Sequence, residues 1–316
     1  MKKIISHSPE MKSLLRAINV AAATDVTLLL QGESGVGKEI LATHVHSSSL
    51  RKDRPLISLN CADIPENLDE ATLFGHVKGA FTCADTSSDG YLQAAEGGSV
   101  FLDEISELSA GVQAKLLRFL ESGEIQPVGA AKTKKLNVRV IVASNCDLEE
   151  SVQQGRFRHD LFYRLNILPF DVPALRERQD DILPLLKHFM QELSRQYKLD
   201  APVFADAAVK RLAEYPWPGN IRELKNFCER MQILCPGQTL NVSNLPAEMK
   251  RPRLRSVTSS MFDLPDEGLS LDELEASMIS QALDKTEGNQ SRAARLLGLT
   301  RDTLLYRIKK YGLRAA

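Results

Sequence analysis

The chain has 316 residues, of which 43% are hydrophobic and 26% are charged, and its formal net charge is −1. This length is typical of two domains, and the near-zero charge excludes a general attraction of the whole chain to nucleic acid, so any DNA binding must come from a local basic segment. The five cysteines form no Cys-x2-Cys pair, and no apolar run approaches the roughly 18 residues of a membrane helix. We therefore expect a soluble cytoplasmic protein with reduced thiols, no signal peptide and no membrane partner.

The first predicted elements are a helix around Met11–Ile18, an apolar strand over Val26–Leu30, and a helix that ends near His46. A glycine-rich turn joins the strand to the second helix. Backbone N–H groups at such a helix start point at one spot, where triphosphate oxygens fit. Glycine permits close backbone approach and positive φ, and Lys38 supplies a point charge for the phosphates. The predicted nucleotide-binding residues, which we call the phosphate loop, are Gly32, Glu33, Ser34, Gly35, Val36, Gly37, Lys38 and Glu39.

The phosphate loop departs from the strict pattern at Glu39, where Ser or Thr usually contacts magnesium. A plain glycine-rich turn is the alternative interpretation. Further short apolar strands are predicted over Leu56–Leu59, Ser99–Leu102 and Val138–Ala143, with a clear helix over Val112–Glu121. Alternating strands and helices predict an α/β fold with a mostly parallel sheet covered on both faces, and a ligand at the carboxyl ends of the strands.

Two acids, Asp103 and Glu104, follow the strand over Ser99–Leu102. A carboxylate at a strand end suits Mg²⁺, and a second one beside it suits a base that polarises water. Two surface acids without a catalytic role are the alternative. The phosphate loop upstream favours catalysis.

The predicted alternation of strands and helices ends after residues 168–173. From Asp180 to Cys235 we predict helices with breaks at proline and glycine and no strand, which indicates a helical subdomain. Prolines, serines and charges dominate the segment after Lys250, as in a linker. The predicted boundaries are 1–172 for the α/β ATPase subdomain, 173–247 for the helical lid, 248–268 for the linker and 269–316 for a small all-α domain.

The tail is strongly basic, with seven basic residues against one acid between Asn289 and Arg314. We predict a helix over Ser291–Leu297, a turn at Gly298, and a second helix over Arg301–Tyr311, as in a helix-turn-helix. Leu304 and Ile308 face the core. The predicted contacts with double-stranded DNA are Thr300, Arg301, Thr303, Tyr306 and Arg307 in the major groove and Lys309 and Lys310 on phosphates. A solvated basic helix that closes a three-helix bundle is the alternative.

Together these motifs resemble those of bacterial sigma-54-dependent transcriptional activators, which are AAA+ P-loop ATPases with a Fis-type helix-turn-helix. In that family Glu after the loop lysine is usual. The resemblance covers nearly the whole chain and includes Gly97–Glu104, Phe157–Leu165 and Trp217–Leu224. Residues 121–129 resemble a second mobile loop, and residues 288–294 and 309–312 resemble Fis.

The resemblance implies ATP and Mg²⁺ as cofactors and a role for each site residue. Asp103 would hold magnesium and Glu104 would activate water. Asn60 would restrain Glu104, and Asn145 would sense the γ-phosphate. The resemblance implies arginine fingers at Arg158 and Arg164, although surface salt bridges are the alternative, and a second sensor at Arg222 that reaches the nucleotide from the lid.

The segment Leu73–Ala84 resembles the family's GAFTGA loop, which contacts the sigma factor. The implied contact residues are Gly79, Ala80, Phe81 and Thr82. Cys83 stands where the motif has its second glycine. We hypothesise that a β-carbon there alters the presentation of the loop while leaving ATP hydrolysis largely intact.

The resemblance predicts a homo-oligomeric ring, a hexamer, that binds upstream DNA and remodels the sigma-54 RNA polymerase holoenzyme. Two rivals stay open: a DNA-binding repressor whose ATPase does not engage sigma-54, and another AAA+ machine such as a helicase loader or unfoldase. No sensory domain fits before the phosphate loop. We therefore expect either a portion of a longer protein or control by a separate regulatory protein in trans.

Overall fold

A computed structural model describes residues 4–65, 67–81, 84–250, 270–286 and 288–312. The chain divides into two compact units, Met1–Pro252 and Arg253–Ala316. In chain order the first part of the first unit contains α1 (Pro9–Ala22), β1 (Leu28–Gln31), α2 (Lys38–Ser47), β2 (Leu56–Asn60), α3 (Asp69–Phe74), α4 (Tyr91–Ala94), β3 (Ser99–Asp103), α5 (Ala110–Ser122), β4 (Glu124–Ile125), β5 (Lys134–Lys135), β6 (Arg139–Ser144), α6 (Leu148–Gln153), α7 (His159–Leu165) and β7 (Leu168–Asp171).

Five of these strands form one parallel sheet in the order β2-β3-β6-β1-β7. The α/β fold class and the predicted strands are confirmed, with ends that differ by one or two residues. Sequence reasoning missed β7, an edge strand that contains Pro169, because its four residues give a weak signal. It also missed the short antiparallel pair β4–β5.

The sheet is buried on both faces, because successive side chains of its central strands alternate between two hydrophobic clusters. Leu29 of β1 and Val142 of β6 belong to the cluster with α5 and α7. Leu28 of β1 and Ile141 of β6 belong to the cluster with α1 and α2. Helix α2 therefore packs on the sheet with its first turn at the carboxyl end of β1, where the phosphate loop lies.

The rest of the first unit, residues 173–250, is the lid. Its elements are α8 (Ile182–Tyr197), β8 (Val203–Phe204), α9 (Asp206–Glu214), α10 (Asn220–Leu234), β9 (Thr239–Leu240) and α11 (Ala247–Lys250). The prediction that this region contains no strand before Cys235 is wrong, since β8 pairs in parallel with β9. Two residues are too few to show a periodic pattern. Trp217 is fully buried in the lid core.

The second unit contains α12 (Leu271–Lys285), α13 (Gln290–Leu296) and α14 (Arg301–Lys310). The side chains of Ser270, Asn289 and Thr300 cap the three helices. Leu304 is buried and Ile308 packs beside it, as the sequence predicts. Among the described residues, no helix combines the length and apolar character that crossing a bilayer requires.

Candidate functional site

The phosphate loop occupies the turn between β1 and α2, and two of its glycines are required by their surroundings. Gly32 and Gly35 have φ values of +149° and +79°. A β-carbon on Gly32 would lie 2.6 Å from the carbonyl oxygen of Val172, and one on Gly35 would lie 2.6 Å from the carbonyl oxygen of Gly219. Such distances are below van der Waals contact, so only glycine fits at either position.

Lys38 begins α2 and is 7% exposed. Its Nζ donates to the carbonyl oxygens of Gly32 at 2.6 Å and Glu33 at 3.1 Å. Burial lowers the pKa of Lys38, and the nearby carboxylates of Asp103 and Glu104 oppose that shift. The fold therefore brings the loop lysine and the strand-end acids into one electrostatic environment.

The two acids lie at the carboxyl end of β3, where Asp103 is in register with Asn60 of β2. Glu104 has φ 54° and ψ 49°, in the left-handed region. For a residue with a β-carbon this conformation costs about 1–2 kcal/mol, and such strain clusters at functional sites. The surrounding structure therefore holds Glu104 in its position.

The partner of Glu104 differs from the one that the resemblance implies. Asn145, which follows β6, donates from Nδ2 to Glu104 Oε1 at 3.2 Å. Asn60 instead accepts from the N–H of Ala62 at 3.2 Å and caps a short 3-10 helix. In this structure Glu104 is hydrogen-bonded to Asn145, and the role that the resemblance implies for Asn60 stays a prediction.

The lid supplies the opposite wall of a cleft of about 480 Å³. Arg222 of α10 donates from Nη1 to Ser34 Oγ at 2.8 Å. Glu33, Ser34 and Asn145 line the same cleft. The structure thus brings residues from the phosphate loop, the end of β6 and the lid to one place.

Sequence reasoning missed three residues that hold the phosphate loop from outside, namely Arg176, Arg178 and Asn220. Arg178 is 3% exposed and donates from Nη2 to the carbonyl oxygen of Val36 at 2.6 Å. Arg176 and Asn220 contact Glu33. No local signal could have found these contacts, since the partners are more than 140 residues apart in the chain.

The two predicted arginine fingers do not line the cleft of their own chain. Arg158 precedes α7 and pairs with Asp160 at 2.7 Å. Arg164 donates to the carbonyl oxygen of Leu120 at 2.8 Å. Both side chains are exposed.

The sigma-contact segment is described for Gly79, Ala80 and Phe81, whereas Thr82 and Cys83 lie outside the described residues. The Phe81 ring centroid is 5.0 Å from that of His76. The backbone on either side of His76 bonds to the second predicted loop, with Val77 N–H to Val128 O at 3.0 Å and Val128 N–H to Gly75 O at 2.8 Å. Backbone hydrogen bonds therefore connect the segment that carries Phe81 to the second predicted loop.

In the second unit the predicted DNA contacts divide into two groups. Side chains of Arg301, Tyr306 and Lys309 are exposed, and the hydroxyls of Thr300 and Thr303 are 2.7 Å apart at the start of α14.

The other two, Arg307 and Lys310, contact acids of α12. Arg307 pairs with Glu275, and Lys310 Nζ donates to Asp272 Oδ1 at 2.9 Å. The hydrogen bond to Asp272 raises the pKa of Lys310. The prediction treated all the basic side chains of α14 as available to DNA, and the structure instead gives these two intramolecular partners.

Comparison with known proteins identifies three successive regions of the chain. Residues 4–171 match the Sigma-54 interaction domain, residues 176–261 the AAA+ ATPase lid domain, and residues 270–311 the Bacterial regulatory protein, Fis family.

The chain is similar to the transcriptional regulatory protein XylR of Pseudomonas putida, with 44% identity over 97% of this chain and 56% of that protein. It is also similar to the transcriptional regulatory protein ZraR of Klebsiella oxytoca, with 43% identity over 97% of this chain and 68% of that protein. A crystal structure of NtrX from Brucella abortus in complex with ADP has a TM-score of 0.74 and 31% identity over 98% of this chain and 70% of that one. The chain belongs to the family of bacterial sigma-54 activators, with an AAA+ domain, a lid and a Fis-type helix-turn-helix region.

Proposed function

We propose that this protein hydrolyses ATP in the cleft between the phosphate loop and the lid, and uses the energy to remodel the sigma-54 RNA polymerase complex at DNA bound by its second unit. The observation that carries this proposal is the convergence of four residues from three segments: Lys38 of the phosphate loop, Asp103 and Glu104 after β3, and Arg222 of the lid. NtrX of Brucella abortus, a similar protein, has been solved in complex with ADP and with ATP.

The residues of the cleft fit a magnesium nucleotide. Glycines that admit no β-carbon leave backbone N–H groups accessible to phosphate oxygens. The described residues contain no cluster of three or more His, Cys, Asp or Glu side chains able to hold a metal by themselves. Mg²⁺ would be held by one carboxylate, Asp103, together with phosphate oxygens and water. When bound, the ion would neutralise phosphate charge.

Four residues in or beside the cleft then have chemical tasks. Lys38 exchanges its bonds with the loop carbonyls for bonds with phosphate oxygens. Glu104 accepts a proton from the attacking water, and the bond from Asn145 fixes its orientation. Arg222 moves from Ser34 Oγ to the phosphates and so draws the lid onto the nucleotide.

The cleft is completed by a second copy of the chain. Arg158 and Arg164 do not line the cleft of their own chain and are exposed, so they are suited to reach the γ-phosphate bound by a neighbour. Head-to-tail contacts of this kind close into a ring, and we propose a hexamer.

Hydrolysis acts on sigma-54 through Phe81 and its neighbours. Loss of the γ-phosphate changes the contacts of Asn145 and Glu104 at the end of the sheet, and the loop that carries Phe81 shifts between two states. Helix α14 binds upstream DNA, with Arg301 at its start reading base edges and Lys309 in its last turn contacting phosphate.

The test is binding of the 316-residue chain to purified sigma-54 with a transition-state nucleotide analogue, with ADP, and without nucleotide. We expect binding only with the analogue, and tighter binding by Cys83→Gly at an unchanged ATPase rate. Cys83→Gly that binds equally or more weakly contradicts the role given to Cys83. Failure of both chains to bind, with DNA binding intact, would favour a repressor that does not engage sigma-54.

A further inference from the structure

Besides Arg176 and Arg178, the lid contacts the phosphate loop through a turn over residues 217–222 that precedes and begins α10. Within it the N–H of Ile221 donates to the carbonyl oxygen of Gly35 at 3.0 Å. The Gly219 carbonyl oxygen occupies the space next to Gly35 that a side chain would fill. Backbone of the lid therefore lies directly on backbone of the loop.

Glu33 is held by residues outside the phosphate loop. Arg176 binds both of its carboxylate oxygens, at 2.9 and 2.6 Å, and Asn220 Nδ2 donates to Oε2 at 3.0 Å. These hydrogen bonds, that from Arg176 first, lower the pKa of Glu33 to about 2. A carboxylate beside a triphosphate would repel it, and Arg176 offsets that charge. The side-chain carboxylate of Glu33 is therefore bonded to Arg176 and Asn220.

Asn220 joins three segments and is fully buried. Its Nδ2 donates to Glu33 and to the carbonyl oxygen of Ser34 at 3.1 Å, while its Oδ1 accepts from the N–H of Leu175 at 2.8 Å. Its backbone has φ 52°, a left-handed conformation that asparagine tolerates better than most residues. Both hydrogens of the amide and its oxygen have partners, so its orientation is fixed.

The same loop segment holds Lys38 before nucleotide binds. Lys38 Nζ donates to the carbonyl oxygens of Gly32 and Glu33. Transfer of that ammonium group to phosphate oxygens would leave the two carbonyl oxygens without their hydrogen-bond donor. The peptide group of Glu33 would then have to change its orientation. The side chain of Glu33 ties this peptide to Asn220 and Arg176.

We infer that Glu33 and Asn220 are positioning residues that transmit occupancy of the phosphate loop to the lid, with Arg176 as the counter-ion of Glu33. This inference rests on the proposed binding of nucleotide. It separates two roles within the loop: Lys38 and the backbone bind phosphate, whereas Glu33 sets the position of the lid and hence of Arg222.

Trp217 makes the test direct, because it is the only tryptophan of the chain and lies fully buried in the same turn. The 316-residue chain is titrated with ADP. Calorimetry gives Kd, the emission of Trp217 reports the position of the lid, and steady-state assays give kcat and KM. In the wild type we expect saturating ADP to change Trp217 emission.

Asn220→Asp keeps the size of the side chain but places a carboxylate against Glu33. We expect it to remove most of the emission change and to lower kcat about 10-fold, while Kd and KM move less than about 3-fold. Adding Glu33→Gln to the same chain restores a hydrogen-bond donor between positions 33 and 220. It should recover part of the emission change and part of kcat. The matched control is Asn241→Asp, which adds the same charge at an exposed lid position.

A second variant, Arg176→Gln, tests the same link if Asn220→Asp does not fold, as judged by its thermal melt. It should also weaken the emission change at saturating ADP, with some loss of ADP affinity because the charge of Glu33 is no longer offset. An unaltered emission change in the folded variants, or none in a wild type that binds ADP, overturns the inference. Absence of ADP binding by the wild type contradicts the proposed function instead.

Discussion

The nucleotide cleft and helix α14 use charge in opposite ways. The cleft gathers charged side chains from several elements, and the lid arginine Arg222 reaches across it to a hydroxyl, Ser34 Oγ. Helix α14 carries its basic residues on one element, and two of them, Arg307 and Lys310, are paired with carboxylates of α12. In the cleft Arg222 contacts a neutral oxygen where an anion is expected, whereas carboxylates of α12 neutralise two of the three cations in the second half of α14.

The difference teaches that position within the fold, rather than residue type, decides which cations serve a ligand. The ion pair of Arg307 is partly exposed, with 36% of the arginine side chain and 29% of the glutamate side chain accessible. Such pairs contribute about 0–1 kcal/mol. The main consequence of the Arg307–Glu275 ion pair is therefore to lower the positive charge that the end of α14 offers to DNA. Its contribution to the stability of the bundle is secondary.

The largest effect is expected from removing an arginine that one copy of the chain contributes to the cleft of its neighbour. Arg158→Ala should lower kcat by ~10³–10⁵, the range for arginine fingers. Mixing it with Lys38→Ala should restore part of the activity, because one copy supplies an intact loop and the other the arginine. ATPase assays on mixed rings measure this. No rescue in rings proven to contain both variants would argue against sharing between copies.

The next largest effect concerns the strained acid. Glu104→Gln should retain nucleotide binding and lose turnover by ~10²–10⁴, since only the group that accepts the proton is removed. Calorimetry and steady-state kinetics separate the two quantities. The control is Glu107→Gln, an exposed acid a few residues away that should leave kcat unchanged. Turnover at the wild-type rate in Glu104→Gln would show that the catalytic assignment is wrong.

A smaller effect distinguishes the two halves of α14. Arg301→Ala should weaken binding to specific DNA by about 1–3 kcal/mol with little change on random DNA. Arg307→Ala should weaken binding less, because Glu275 already neutralises its charge. Conversely, Glu275→Gln should tighten binding to both DNAs. Equal losses from Arg301→Ala and Arg307→Ala on both DNAs would mean that the tail acts as an electrostatic anchor.

The smallest effect is expected in the salt dependence of DNA binding. Lys309→Ala should flatten the slope of log K against log salt by up to about 0.9, the value of one lost phosphate contact. Lys310→Ala should flatten it less, because Lys310 is paired with Asp272. Titrations at several salt concentrations give both slopes. A larger change for Lys310 would indicate that DNA displaces Asp272.

The sequence predicts the parts of this molecule that have a local signature. Apolar runs followed by glycine or acid locate β1, β3 and the phosphate loop, and the topology of a parallel sheet then brings their carboxyl ends together. The interactions of Glu33 and Arg307 could not be predicted in this way. Their partners are distant in the chain, and hydrogen bonding between them leaves no pattern in either segment. Strand β8 was missed because two residues show no period.

Transcription in vitro from a sigma-54-dependent promoter tests the central claim most directly. The reaction contains purified sigma-54 holoenzyme, upstream DNA, and either ATP or a non-hydrolysable analogue. We predict transcripts with the wild-type chain and ATP, and none with the analogue or with Glu104→Gln. Equal transcription with Glu104→Gln, or none with a wild-type chain that hydrolyses ATP and binds the upstream DNA, would contradict the claim that ATP hydrolysis here drives sigma-54 remodelling.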